Sequence, residues 1–138
     1  PFYTRFIIEV PDNWMWGEVY NVPLDEMMEI IDNALANGYT VSWGTDVSEK
    51  GFSRTKGIGV IPEADLEGMS GTEAERWGKL TDKEKEAALY KVQNSWNTVE
   101  PYDGFWYFSK PFVAYKTTSI MVNKQAVPKE IAKKLGLK

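Results

Sequence analysis

Along residues 24–35 the apolar positions Leu24, Met28, Ile31 and Leu35 recur at spacings of four, three and four. That period predicts an amphipathic helix over residues 23–38, with Met27 and Met28 as core fillers. Pro23 suits its first turn, Asp25 and Glu26 complement its N-terminus, and Gly38 supplies the stop. Before it the pattern is different. Residues 2–10 are rich in β-branched and aromatic side chains and read as a strand that Pro11-Asp12-Asn13 terminates. Residues 14–20 are aromatic without a period, which predicts an irregular segment pinned by its own rings, with a carbohydrate or peptide platform as the functional alternative.

After the helix, residues 39–43 alternate as a half-buried strand does. Residues 57–61 form a short strand on this reading, and 62–79 are polar and punctuated by glycine. Thr81-Asp82-Lys83-Glu84 is a capping-box sequence opening a helix through about Lys91, whose charges read as a solvated face. Strands are expected at 92–96 and 104–109, joined by a loop with Pro101 and Gly104, and again at 119–123. A last helix, 128–135, has Pro128 at its start and Gly136 as its cap. There are no internal repeats.

A chain of 138 residues, 43% hydrophobic and 14% aromatic, has enough apolar material for one packed domain over 1–138 and is not a disordered polymer. Its net charge of -4 argues against a nucleic-acid surface. The longest apolar runs fall far short of the ~20 residues that span a bilayer, so no membrane partner is expected. A strand-like sequence that starts at Pro1 suggests an N-terminus within a longer polypeptide.

The chain has no Cys and no His. Ser42, Ser48 and Ser95 therefore lack an imidazole to deprotonate them. The carboxylate pairs Glu26 with Glu29 and Asp82 with Glu86 stand at helical spacing and read as solvated charges. Asp46, Ser48, Lys50 and Gly51 mimic the opening of a calcium loop, but Lys50 occupies a ligand position and Gly57 stands where the closing Glu belongs. Gly57-Ile58-Gly59 lacks the third glycine of a phosphate loop. Neither a metal nor a cofactor is expected.

Two stretches, "YNVPLDEMMEIIDNALANGYTVSWGTDVSEKGFS" and "QNSWNTVEPYDGFWYFSKPFVAYKTTSIMVNKQAVPKEIAKKLGL", carry a resemblance. Together they resemble the C-terminal portion of a papain-like cysteine peptidase of the bleomycin hydrolase or aminopeptidase C branch, of the Bacteroides type. The resemblance implies an α+β fold: the barrel-like, antiparallel C-terminal sheet of a papain-like enzyme with flanking helices, here incomplete. It implies that Asn94 orients the imidazole that serves a Cys thiolate, and that Trp96 covers that hydrogen bond and keeps water off it. It also implies that the C-terminal arm, near Lys138, lies in the cleft and admits only a free peptide N-terminus. A peptide substrate and a homo-oligomer, commonly a hexamer, follow from the same resemblance.

Two departures stand out. Asn97 replaces the usual glycine after the Trp, and Asn tolerates the left-handed backbone such a turn needs. The strand that should carry the catalytic His is missing, because the charged segment 81–90 runs almost directly into Asn94. We read residues 91–93 as a seam where a His-bearing hairpin belongs: pieces of a longer polypeptide are joined there, a protease has removed segments, or the hairpin is deleted, and in the first two cases the Cys and His lie in the remainder of the same polypeptide. The rival expectation is a non-catalytic domain that keeps the fold and binds a peptide or partner through Trp14, Trp16 and Tyr20.

Overall fold

The computed structural model describes residues 1–61, 89–94 and 102–137. In chain order these form β1 (Arg5–Ile7), β2 (Glu18–Tyr20), α1 (Leu24–Ala36), β3 (Val41–Thr45), β4 (Phe52–Ser53), a 3-10 turn (Arg54–Lys56) and β5 (Ile58–Gly59). There follow β6 (Leu89–Gln93), β7 (Phe105–Ser109), α2 (Lys110–Lys116), β8 (Thr117–Val122), a second 3-10 turn (Lys124–Ala126) and α3 (Lys129–Lys134). The chain divides into two compact units, one of Pro1–Ser42 with Ile120–Lys138 and one of Trp43–Ser119.

In the first unit β1 pairs antiparallel with β2, Arg5 opposite Tyr20 and Ile7 opposite Glu18. The strand is shorter than residues 2–10 because Tyr3 takes a left-handed backbone, φ 62°, and Val10 already accepts a loop hydrogen bond from the Asn13 amide at 3.0 Å. Helix α1 starts and stops as its sequence predicts. Gly38 adopts φ 77°, and the Tyr39 amide reaches back to the Ala34 carbonyl at 2.9 Å, closing the helix end.

The buried face of α1 is rotated from the predicted stripe. Met28 and Ile31 are buried as expected, but Ile30 and Ala34 join them while Leu35 is 47% exposed. The face is set by its partners, since Ile30 packs in one cluster with Val127 and Ile131, flanked by Ile120 and Val122. The Asn33 side-chain amide donates to the Ala126 carbonyl at 2.7 Å and ties the second 3-10 turn to the helix. Helix α3 ends as predicted at Gly136, φ 66°.

In the second unit the sheet order is β4-β5-β7-β6. Its β5–β7 pair is parallel and the other pairs are antiparallel. Strands β3 and β8 pair separately. The expected α+β class holds, but among the described residues these strands close no barrel.

The predicted helix from Thr81 lies outside the described residues except for its last turn, and there the structure differs. Leu89, Tyr90 and Lys91 belong to β6, which pairs in register with β7 from Leu89 opposite Ser109 to Gln93 opposite Phe105. Tyr90 and Val92 are half-buried while Lys91 and Gln93 are exposed, a period of two that helix propensity does not override. Helix α2 was not predicted. Its signal is Ser109-Lys110-Pro111: the Ser109 hydroxyl accepts from the Phe112 amide at 3.2 Å, and Pro111 stands in the first turn.

The core of this unit is aromatic. Trp106, Phe108 and Phe112 are buried, Phe52 stacks on Trp106 with centroids 4.7 Å apart, and Trp43 meets Phe108 edge-on at 4.9 Å. Gly59 is part of this packing rather than of any phosphate loop. A Cβ there would meet Phe108 Cδ1 at 2.3 Å.

Candidate functional site

Asn94 follows directly on β6. Its amide donates to the Gly104 carbonyl at 2.8 Å, one step beyond the last β6–β7 register pair. A turn at residues 102–105 leads into β7, with Asp103 and Gly104 both at positive φ, 53° and 85°, and the Phe105 amide closes it on the Tyr102 carbonyl at 3.0 Å. Asn94 is half-buried. Its backbone is thus held by the sheet ladder, and an asparagine side chain carries both an amide carbonyl that accepts and an NH2 that donates. Trp96 and Asn97 lie outside the described residues, and so does Lys138.

The approach to Lys138 is described. The Leu137 amide donates to the Ala132 carbonyl at 2.9 Å beyond the left-handed Gly136. The Lys134 ammonium bonds Glu26 Oε1 at 2.5 Å, and the Tyr3 hydroxyl donates to the same oxygen at 2.8 Å. Lys134 also lies over the Tyr3 ring, 5.3 Å from its centroid. Glu26, expected to be a solvated partner of Glu29, is instead buried and paired, because α3 brings a cation to the first turn of α1.

The Lys134 hydrogen bond holds the Glu26 carboxyl below the ordinary glutamate range. The same bond raises Lys134, and the bond to Glu26 raises the Tyr3 phenol. Because the Glu26 carboxyl is lowered on folding, its contribution to stability is complete above the unfolded value of about 4.3 and is lost as pH falls through the folded value. Glu26→Gln should therefore lower Tm near neutral pH, with the gap from wild type narrowing as pH falls below the unfolded value. A gap of the same size at acid pH would show that the charge of Glu26 is not what holds α3.

The segment of residues 14–20 is not pinned by its rings. Trp14, Met15 and Trp16 are 78%, 72% and 63% exposed. Asn13 does the pinning: its side-chain amide donates to the carbonyls of Ile8 and Gly17, each at 3.0 Å, and its Oδ1 accepts from the Gly17 amide at 2.8 Å. Trp16 is held at φ 54°, a conformation costly for a bulky residue. A concavity of about 300 Å³ is lined by Glu9, Val10, Pro11, Asn13, Trp14 and Trp16. Tyr20 is on β2 opposite Arg5, apart from that lining. Among the described residues no cluster of acidic side chains could hold a metal, and no helix is long and apolar enough to cross a membrane.

No family model and no curated protein matches the chain. Among solved structures it is similar to PepW from Lactobacillus rhamnosis HN001, with a TM-score of 0.69 and 20% identity. The match covers 99% of this chain and 35% of PepW, so the chain spans about a third of that protein's length. At that identity the likeness is one of fold, and the chain has a mixed α+β fold related to that of part of PepW.

Proposed function

We propose that this chain is part of a thiol-dependent aminopeptidase of the papain-like type. The observation that carries the reading is the fold likeness to PepW over 99% of the chain. It is supported by Asn94, whose backbone is fixed at the end of the β6–β7 hairpin. The nucleophilic Cys and the basic His belong, on this reading, to the remainder of the same polypeptide.

The chemistry then follows the usual order. The thiolate attacks the carbonyl carbon of the first peptide bond, the imidazolium protonates the departing amine, and an acyl-enzyme forms. Water, deprotonated by the now neutral imidazole, attacks the thioester and releases the N-terminal amino acid. Asn94 accepts a hydrogen bond from the other ring nitrogen and so fixes tautomer and orientation, and Trp96 keeps water from that bond. The C-terminal arm near Lys138 lies in the cleft on this reading, where a carboxylate at its end would receive the substrate ammonium. Two opposite charges about 4 Å apart attract by roughly 4 kcal/mol at an intermediate dielectric before desolvation is subtracted, enough to favour a free N-terminus. Assembly into a homo-oligomer belongs to the same reading.

The product of the complete reading frame should release amino acids one at a time from a peptide's N-terminus and lose that activity on thiol alkylation. In it, Asn94→Ala should lower kcat about 10- to 100-fold, the rate equivalent of one hydrogen bond to a charged ring. Tm should change little and KM less than kcat. Unaltered turnover would remove Asn94 from the site, and a frame without Cys and His would end the thiol mechanism.

A second reading is favoured by the exposure of Trp14 and Trp16: a domain that binds a peptide or partner through this aromatic loop and catalyses nothing itself.

A further inference from the structure

The loop between β1 and β2 shows aromatic rings on a fixed backbone. Asn13 brackets it with three hydrogen bonds, and a Cβ at Gly17 would come within 3.3 Å of Asn13 Oδ1, so the bracket fits a glycine there. The exposure of Trp14 and Trp16 is therefore not the by-product of a loose segment. Among the described residues neither indole stacks on another ring.

The charge around these rings is one-sided. Glu9 lines the concavity with Trp14 and Trp16, and Asp12 lies in the same loop. The cation on β1, Arg5, is bound to Glu18 at 2.9 Å. Among the described residues no cation pairs with Glu9 or Asp12. Two indoles beside an uncompensated carboxylate are complementary to an organic cation, which gains from the ring quadrupoles and the carboxylate together. A volume of about 300 Å³ is at the small end for ligand pockets and suits one long side chain rather than an oligosaccharide.

We propose that the concavity of the β1–β2 loop binds the cationic side chain of a lysine- or arginine-bearing peptide segment, with Trp14 and Trp16 supplying ring faces and Glu9 the counter-charge. This names the ligand for the second reading above and is independent of the thiol chemistry.

The test is an NMR titration of the ¹⁵N-labelled 138-residue chain, following its six tryptophan indole resonances, with Trp14→Phe and Trp16→Phe assigning two of them. The probes are acetyl-Gly-Lys-Gly-amide and its norleucine counterpart, equal in stem and lacking the charge. The lysine peptide should shift the Trp14 and Trp16 signals in a saturable way with a Kd of roughly millimolar, the range of a single exposed cation–π site. Glu9→Gln should weaken that several-fold while leaving the other indoles in place. An equal response to norleucine would overturn the cation assignment yet keep the loop as an apolar binding face. No response to either peptide would overturn both. Shifts that follow protein concentration alone would mean that a second copy of the chain takes the surface instead.

Discussion

Trp106→Ala should cost about 3 to 5 kcal/mol of folding free energy, the range for truncating a fully buried large aromatic. Trp106 is 0% exposed, stacks on Phe52 with an interplanar angle of 8°, and lies 6.0 Å from Phe108 in a near-parallel arrangement. Its strand is held on both edges, by β5 and by β6, so the backbone has little room to collapse into the void. A domain stable by only about 5 to 15 kcal/mol loses a large share of that at one position. Denaturant midpoints read the effect, and Trp106→Phe, which keeps a ring against Phe52, should lose less than half as much. A loss under about 1 kcal/mol for the alanine variant would show that this aromatic core is not close-packed.

The consequence reaches the proposed site through the backbone. Strand β7 begins one residue after Gly104, whose carbonyl receives the Asn94 amide. A register held by Trp106 is what keeps Asn94 at a defined point, so a slackened β7 should also loosen the position from which Asn94 would meet an imidazole.

Local signals made much of the fold legible. Both ends of α1, the Pro128 and Gly136 boundaries of α3 and the strands around 41–45, 105–109 and 117–122 follow from period, caps and turn residues within a few positions of themselves. What was missed depends on distant partners. The rotation of α1 toward Ile30 and Ala34 is set by residues about a hundred positions away, at Val127 and Ile131. Leu89 to Lys91 continue a charged, helix-like run, yet they join a ladder whose other strand starts at Phe105. Helix α2 carried a readable cap in Ser109 and Pro111, but the aromatic run before it reads as strand and masks the change of period.

The candidate sites differ in the same way. Asn94 is singled out by resemblance alone, and the structure fixes its backbone against Gly104. The aromatic loop was legible as composition only. Rings in a row more often mean packing than display, and it took the Asn13 bracket to separate the two.

Lys116→Met should be about as damaging as the loss of Trp106, for an electrostatic reason. The Lys116 side chain is 5% exposed, with its ammonium 3.7 Å from Glu49 Oε2, itself on a side chain only 9% exposed. It also lies 3.4 Å from Asp46 Oδ2, donates to the Ser48 carbonyl at 3.3 Å, and stands over the Tyr115 ring at 4.8 Å. Asp46 has other support, since hydrogen bonds from Ser48 hold its carboxyl below the ordinary range, and it is open to water. Glu49 is covered on nearly all sides, so methionine, which keeps the stem and removes the charge, would leave a buried carboxylate without its counter-ion. Breaking one half of a buried pair costs about 3 to 5 kcal/mol, mostly the desolvation of the group left behind. The origin of the loss is testable by a double-variant cycle: Lys116→Met with Glu49→Gln should recover a substantial part of the stability lost by Lys116→Met alone, measured by denaturant midpoint. If the two changes simply add, Lys116 holds the end of α2 by packing its stem along Tyr115, and its charge contributes nothing measurable to the fold.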